Sequence, residues 1–309
     1  MFHNFDEISQ HLLDNHIKKT IVLCGAHDDA ALSAVVDARR RGVAEGVLLG
    51  QEKEILRLLE EFEEPASNYE IVDMHRGEHA INLALDMVKA GWADIPMKGL
   101  MKTASFIWGL IDKERGFCKP GRKLSHTTAW YYPERQGFMF ASDTSFIREP
   151  TLEDKVQIIE NAIELLHAFG MDEINVGVLS AVEEVKENIP STVDAQKLSE
   201  MEWPTGVYVD GPFALDNAID PHSAEHKGID KPMAGHADLL LLPDFLTGNV
   251  LYKSIHYFAH LPIAGTVCGT IPAVVTSRSD EEDAKFYSIL MAILQSIYAE
   301  TQIVNSQHS

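Results

Sequence analysis

The chain has 309 residues, 45% hydrophobic and 24% charged, the balance of a soluble globular protein and more length than one core usually takes, so two lobes are expected. Its 47 acidic against 26 basic residues give a formal net charge of -21, which argues against nucleic acid or anionic membrane as the main partner. Three scattered cysteines, Cys24, Cys118 and Cys268, lack metal-ligand spacing. No segment has the length of a membrane span or the basic and apolar make-up of a secretory signal, so the expectation is a cytoplasmic protein.

In chain order, strand-like and helix-like segments alternate with short Gly- or Asp-marked connections. Thr20-Ile21-Val22-Leu23-Cys24 reads as a buried strand and Ala30 to Arg40 as a helix. Gly46 to Gly50 is a second strand, followed by an acidic helix that ends before Pro65. Tyr69 to Val72, a helix near Ala80 to Lys89, and Ala93 to Met97 continue the rhythm. Continuous apolar strands of this kind imply a sheet covered on both faces.

Leu124 to Tyr131 and Gly137 to Ala141 read as two strands around the Pro133-Glu134 turn, a bridge between lobes. From Ser142 the pattern restarts. Val156, Ile159, Ile163 and Leu166 form a helical stripe that stops before Gly170, and strands are expected at 175–179, 206–210 and 237–242. The apolar run Ile271 to Val275 leads to a helix opened by a Ser279/Glu282 capping box, with Phe286, Ile289, Leu290, Ile293, Leu294 and Ile297 on one face. There is no internal repeat. The fold class is α/β, with the ligand site expected in a cleft between lobes.

The chemistry concentrates at Thr276-Ser277-Arg278-Ser279-Asp280, where hydroxyls and a guanidinium gather at a helix N-terminus. Unpaired N–H groups and the helix dipole favour an anion there, and the planar fork of Arg278 can grip phosphate through two hydrogen bonds. A purely structural reading, with the serines capping and the arginine solvated, stands beside it. Nicotinamide and ATP lack support, because neither a three-glycine dinucleotide turn nor a Gly-x-x-x-x-Gly-Lys phosphate loop occurs, and no Gly-x-Ser-x-Gly nucleophile elbow appears. His222-Ser223-Ala224-Glu225-His226 matches a zinc motif but follows Pro221 among loop-like residues, and five-residue matches arise by chance. Asp210 and Asp216 flank a turn at a strand end, where a functional reading stands beside a purely structural one, since Asp, Gly and Pro also simply make turns. Asn249 and Lys253, four apart on a helix, can clasp a phosphate or simply face solvent, and the same two readings apply to Lys98 and Lys102. Ser125-His126 reads either as a strand-end hydrogen-bonding pair or as a histidine with a purely structural role.

Together these segments resemble the phosphate acetyltransferase and phosphate butyryltransferase family. The resemblance rests on Met97-Lys98-Gly99 with Thr103, Leu124-Ser125-His126, Asp143 with Pro150, Lys155, Asn161-Ala162, Leu179 to Glu183 and Ser191 to Ala195. It continues through Val209-Asp210-Gly211-Pro212, Leu215 to Ala218, His226 to Ile229, Gly248-Asn249 to Lys253-Ser254 and Thr276 to Asp280, and leans to the butyryl branch. It implies two α/β/α lobes of the isocitrate and isopropylmalate dehydrogenase type, with residues 1–141 and 266–309 in one lobe and 142–265 in the other. The reaction it implies is acyl-CoA plus phosphate giving acyl phosphate plus CoA, in a homodimer, with coenzyme A as a substrate and no metal or other cofactor.

Carried over residue by residue, Arg278 holds phosphate, Ser277 donates to the oxyanion, and Lys98, Arg122, Ser125, Asp210, Asn249, Lys253 and Thr276 contact phosphate or CoA. The thiol base is assigned to Asp283, with Asp280 nearby, although the family's position falls on Ala284. An arginine of acetyl-specific members is replaced by Asp94-Ile95-Pro96-Met97, leaving Lys98 or Arg122 to supply the charge. Met97, Met101, Phe106 and Ile107 are expected near the acyl group. The competing readings are phosphate acetyltransferase, a dehydrogenase on the same fold, and a catalytically silent acyl-CoA sensor; retention of Ser277 and Arg278 argues against the last.

Overall fold

A computed structural model describes residues 1–74, 77–112, 117–118, 121–276 and 280–307. Helix α1 (Phe5–Asp14) starts where the Asn4 side chain accepts from the Glu7 amide at 2.9 Å, and it buries Phe5, Ile8 and Leu12. Strand β1 (Lys19–Cys24) is followed by α2 (Asp29–Arg40), whose first turn is capped by Asp28 through the Ala31 amide at 3.0 Å. Next come β2 (Ala44–Gly50), α3 (Glu52–Glu61), β3 (Glu70–Asp73), α4 (Gly77–Lys89), β4 (Ile95–Lys98) and α5 (Thr103–Leu110). The four strands pair in parallel in the order β3-β2-β1-β4. Ile21 to Cys24 are wholly buried, as their apolar run requires.

The hairpin β5 (Ser125–Tyr132) and β6 (Gly137–Ser142) closes over a 3-10 turn at Pro133–Arg135. Helix α6 (Leu152–Ala168) opens with a Thr151/Asp154 capping box and ends at Gly170, whose φ of +79° is the left-handed conformation glycine adopts without strain. Then follow β7 (Ile174–Leu179), α7 (Pro190–Ser199), β8 (Val207–Phe213), α8 (Leu215–Ile219), α9 (Pro221–His226), β9 (Leu239–Leu241) and α10 (Phe245–Ser254). Their strands run β5-β6-β9-β7-β8, parallel except within the hairpin. The segment 222–226, read as loop, is the short helix α9: Pro221 fits its first turn and Asp220 caps it through the His222 and Ser223 amides.

Strand β10 (Ile263–Cys268) and helix α11 (Glu282–Gln307) complete the chain. Phe286, Ile289, Leu290, Ile293 and Leu294 are buried, as the periodicity indicates, while Ile297 is half-buried. The expected Ser279 cap lies outside the described residues.

The chain divides into a first unit, Asn4–Arg122 with Ala264–Ser309, and a second, Lys123–Ile263 with Met1–His3. Boundaries were expected at 141/142 and 265/266; they fall at 122/123 and 263/264. The reason is pairing. Phe140, Ala141 and Ser142 of β6 align with Leu239, Leu240 and Leu241 of β9, so the hairpin is part of the second unit's sheet.

In the first unit the ends of β1 and β4 touch through backbone. The Gly99 amide donates to Cys24 O at 2.8 Å and the Leu100 amide to Gly25 O at 2.9 Å. A Cβ on Gly99 would stand 2.4 Å from Gly25 O, a rigid neighbour. We therefore expect Gly99→Ala to destabilise the protein by about 1–3 kcal/mol, the range of overpacked cores, seen as a fall in melting temperature. An unchanged melting temperature would show that the strand ends can part without cost.

Candidate active site

In the first unit the chain returns from β10 to lie against β4. Val274 bridges Met97 in parallel, the Lys98 amide donates to Val274 O at 2.9 Å, and the Val274 amide donates to Pro96 O at 3.0 Å. This places Lys98 and Thr276, two expected phosphate contacts far apart in sequence, at adjacent segment ends, and both are buried. The Lys98 ammonium donates to Gly99 O at 3.3 Å. Ser277 and Arg278 lie outside the described residues. The residues on either side of that gap, Thr276 and Asp280, are buried.

Asp280 O accepts from the buried Lys285 ammonium at 2.6 Å. Burial pushes the Lys285 ammonium below its ordinary range, and Asp280, Asp28 and Glu282 pull it back, so four charged groups meet where α2 and α11 begin. Asp283, the expected base, is exposed on the first turn of α11, where its charge acts on Arg41 and Tyr287. Arg122 is half-buried, its carbonyl accepting from Cys118 Sγ at 3.3 Å.

In the second unit Ser125 is fully buried and accepts from Asn161 Nδ2 at 3.1 Å. Beside it His126 Nδ1 shares a 2.8 Å hydrogen bond with Thr144 Oγ1, which also contacts Thr128 Oγ1 at 2.9 Å. Asp143 accepts from the amides of His126, Ser145, Phe146 and Ile147 at 2.7 to 3.3 Å. Burial pushes its carboxyl up, and those amides draw it back. Asp210 pairs with Lys231 at 2.7 Å and accepts from the Gly211 amide at the same distance. Asn249 and Lys253 both lie on α10, the first half-buried and the second exposed. The His222 and His226 rings stack at 6.4 Å, and no group of three or more His, Cys, Asp or Glu fit to hold a metal occurs among the described residues.

The second unit also holds a cavity of about 960 Å³ at the ends of β7 and β9, between α7 and α10. Its polar lining includes Lys155, Ser180, Ser191 and Asp194, with Lys155 Nζ 2.6 Å from Asp194 and the two serine hydroxyls 2.8 Å apart. Sequence reasoning did not assign these four residues to the site. They stood within the stretches that carry the family resemblance, and Ser180 directly follows a strand, a place where function collects. None of Ser125, Asp210, Asn249 or Lys253 lines the cavity.

Residues 74–293 match the family model described as "Phosphate acetyl/butaryl transferase". The chain belongs to this family. It is 37% identical over 298 residues to a phosphate butyryltransferase of Clostridium beijerinckii, covering 95% of this chain and 98% of the relative. To a phosphate acetyltransferase of Thermotoga maritima it is 37% identical over 278 residues, covering 89% and 94%. The crystal structure of a branched-chain phosphotransacylase from Enterococcus faecalis V583 superposes with a TM-score of 0.81 at 26% identity, covering 90% of this chain and 99% of the other. The two-unit α/β fold is thus the family's fold.

The Lys155–Asp194 pair gives a test of how the cavity wall is held. The Lys155 side chain is 5% exposed and that of Asp194 22%. Asp194→Asn strands a buried ammonium and should cost roughly 2 kcal/mol or more, discounted from the 3–5 of fully buried pairs. The double change Lys155→Met with Asp194→Leu should recover much of that loss. Denaturant unfolding decides it: equal stabilities for wild type and Asp194→Asn would show that the pair is solvated.

Proposed function

We propose that the protein transfers a short acyl group between coenzyme A and inorganic phosphate, with a four-carbon acyl group favoured over acetyl. One observation supports this reading: the Lys98 backbone is bonded to Val274, from which the chain leads on to Thr276, Ser277 and Arg278, in a member of a phosphotransacylase family. The four-carbon preference is supported by extensive identity to a phosphate butyryltransferase. The reading includes a cytoplasmic homodimer that carries no resident metal or redox cofactor.

A phosphate oxygen attacks the thioester carbonyl carbon, negative charge collects on the carbonyl oxygen, and the C–S bond breaks to release CoA and leave acyl phosphate. No electrons are gained or lost overall, so the step calls for position, charge and one proton. Arg278 grips the phosphate with its fork, Lys98 adds a cation from its buried seat, and Ser277 donates to the oxyanion. Arg122, Ser125, Asp210, Asn249, Lys253 and Thr276 are the further assigned contacts to phosphate or CoA. In the reverse direction the thiol of CoA loses its proton to Asp280 or Asp283. Of these, Asp280 is buried, with its carbonyl accepting from Lys285, whereas Asp283 is exposed.

Ser277→Ala is expected to lower kcat by about 10²–10³, the effect of deleting one oxyanion donor. Arg278→Lys keeps the charge and loses one charge-assisted hydrogen bond, roughly 1.5–3 kcal/mol, so KM for phosphate should rise about 10- to 150-fold. Melting temperatures should stay near wild type in both. Wild-type kinetics in either variant would move the site elsewhere.

Chain length gives an independent test. Two added methylenes in a dry pocket contribute at most about 1.5 kcal/mol, so butyryl-CoA should exceed acetyl-CoA in kcat/KM by roughly tenfold. Acetyl-CoA at or above the four-carbon substrates would sink the preference and leave the transferase reading in place.

A further inference from the structure

Ser277 and Arg278 fall in sequence between two points of the first unit that are tied down by different means. Before them the tie is backbone: Val274 accepts from the Lys98 amide and donates to Pro96 O, on either side of Met97 in β4. After them it is a side chain. Lys285, at the start of α11 and 2% exposed, donates from Nζ to Asp280 O at 2.6 Å. A helical side chain leans toward the N-terminus of its own helix, which lets a residue of α11 reach back to the carbonyl ahead of it.

An ammonium is a costly group to bury for packing alone. Desolvation pushes Lys285 below its ordinary range, and the carboxylates that pull it back come from three places: Asp280 ahead of α11, Glu282 in its first turn, and Asp28 at the N-cap of α2. An apolar side chain of the same length fills such a space without that cost, and exchanging buried charge for apolar volume is often neutral or stabilising. What the charge adds is a strong directional bond. A charge-assisted hydrogen bond is roughly twice as strong as a neutral one, so the ammonium fixes the Asp280 carbonyl more firmly than a neutral donor does.

We propose that Lys285 is a positioning residue for the acyl transfer: its ammonium, anchored on Asp280 O, sets where the chain enters α11 after Ser277 and Arg278, and so how well those two residues hold phosphate. The proposal rests on the acyltransferase reading for the reaction and adds a residue that acts on it through Asp280 without touching substrate. It also gives the buried charge a pH dependence. As pH rises Lys285 loses its proton, the bond to Asp280 O weakens, and phosphate is held less well; the charge balance that sets this limb is that of Asp280, Glu282 and Asp28.

Initial rates of acyl phosphate formation by the full chain, varied in phosphate and in butyryl-CoA, test it on wild type, Lys285→Met and Asp28→Asn, with melting temperatures measured alongside. Lys285→Met keeps the length of the side chain and removes the anchor. Its KM for phosphate should rise about tenfold or more, within the roughly 100-fold that a misplaced group can cost, and its KM for butyryl-CoA should stay near wild type. Loss of folded enzyme alone lowers the maximal rate and leaves both KM values in place. Asp28→Asn keeps the α2 cap, since asparagine can accept from the Ala31 amide as aspartate does, and takes away one carboxylate that sustains the Lys285 charge. The alkaline limb of kcat/KM for phosphate should therefore move down by about one pH unit, and the same change made on Lys285→Met should move nothing. A wild-type KM for phosphate in Lys285→Met overturns the proposal; if that variant does not fold, an unshifted limb in Asp28→Asn overturns it. If wild type turns over and the variants match it, Lys285 is structural and the activity stands. If wild type forms no acyl phosphate, the acyltransferase reading fails, and calorimetric titration with inorganic phosphate decides on Lys285 alone: weaker binding in Lys285→Met supports its role, and equal or absent binding overturns it.

Discussion

The hydrogen bond from the Lys98 amide to Val274 O, 2.9 Å long, joins a segment near the end of the chain to a strand laid down in its first third. Around it the first unit is assembled: β4 is fixed against β1, the return segment is fixed against β4, and α11 follows with its apolar face buried. Glycine permits the approach. Gly25 and Gly99 let the two strand ends meet backbone to backbone, and neither position has room for a Cβ. The Lys98 backbone is thereby tied to Val274, two residues before Thr276.

The placement of charge follows the same economy. In a chain of net charge -21, two cations of the first unit are buried where salt screens them least. Lys98 sits under the strand ends, and Lys285 ties down the Asp280 carbonyl at the start of α11. Buried in this way, Lys285 meets Asp28, Asp280 and Glu282, so its charge is balanced by neighbours rather than by water. The second unit's cavity is built in the opposite sense, with its cation already paired and its helix N-terminus capped.

Much of the fold was legible because it is written locally. Strands β1, β2 and β4 of the first unit carry buried apolar runs, the Thr151 cap and Gly170 bracket α6, and α11 shows its buried face at regular spacing. What was misplaced depends on distant partners. The β5–β6 hairpin was read correctly as two strands, yet its unit is decided by pairing with β9, a register that no local signal carries. Helix α9 is six residues long, too short for a periodic pattern, so only its Asp220 cap and Pro221 announce it. Of the expected site, the sequence could not show that the chain beside Lys98 is the segment at Val274, and Lys155 and Asp194 are ordinary surface-type residues until folding brings them within 2.6 Å. Asp283, assigned as the base from the family resemblance, is exposed on the first turn of α11, where its charge acts on Arg41 and Tyr287.

Phosphorus NMR of the reaction mixture tests the central claim most directly. With butyryl-CoA and inorganic phosphate, the phosphate signal should be replaced by that of butyryl phosphate as one free CoA thiol appears per molecule formed, and no thiol should appear when phosphate is left out. Thiol release without phosphate would mark a thioester hydrolase, and CoA release with no acyl phosphate signal would contradict acyl transfer to phosphate.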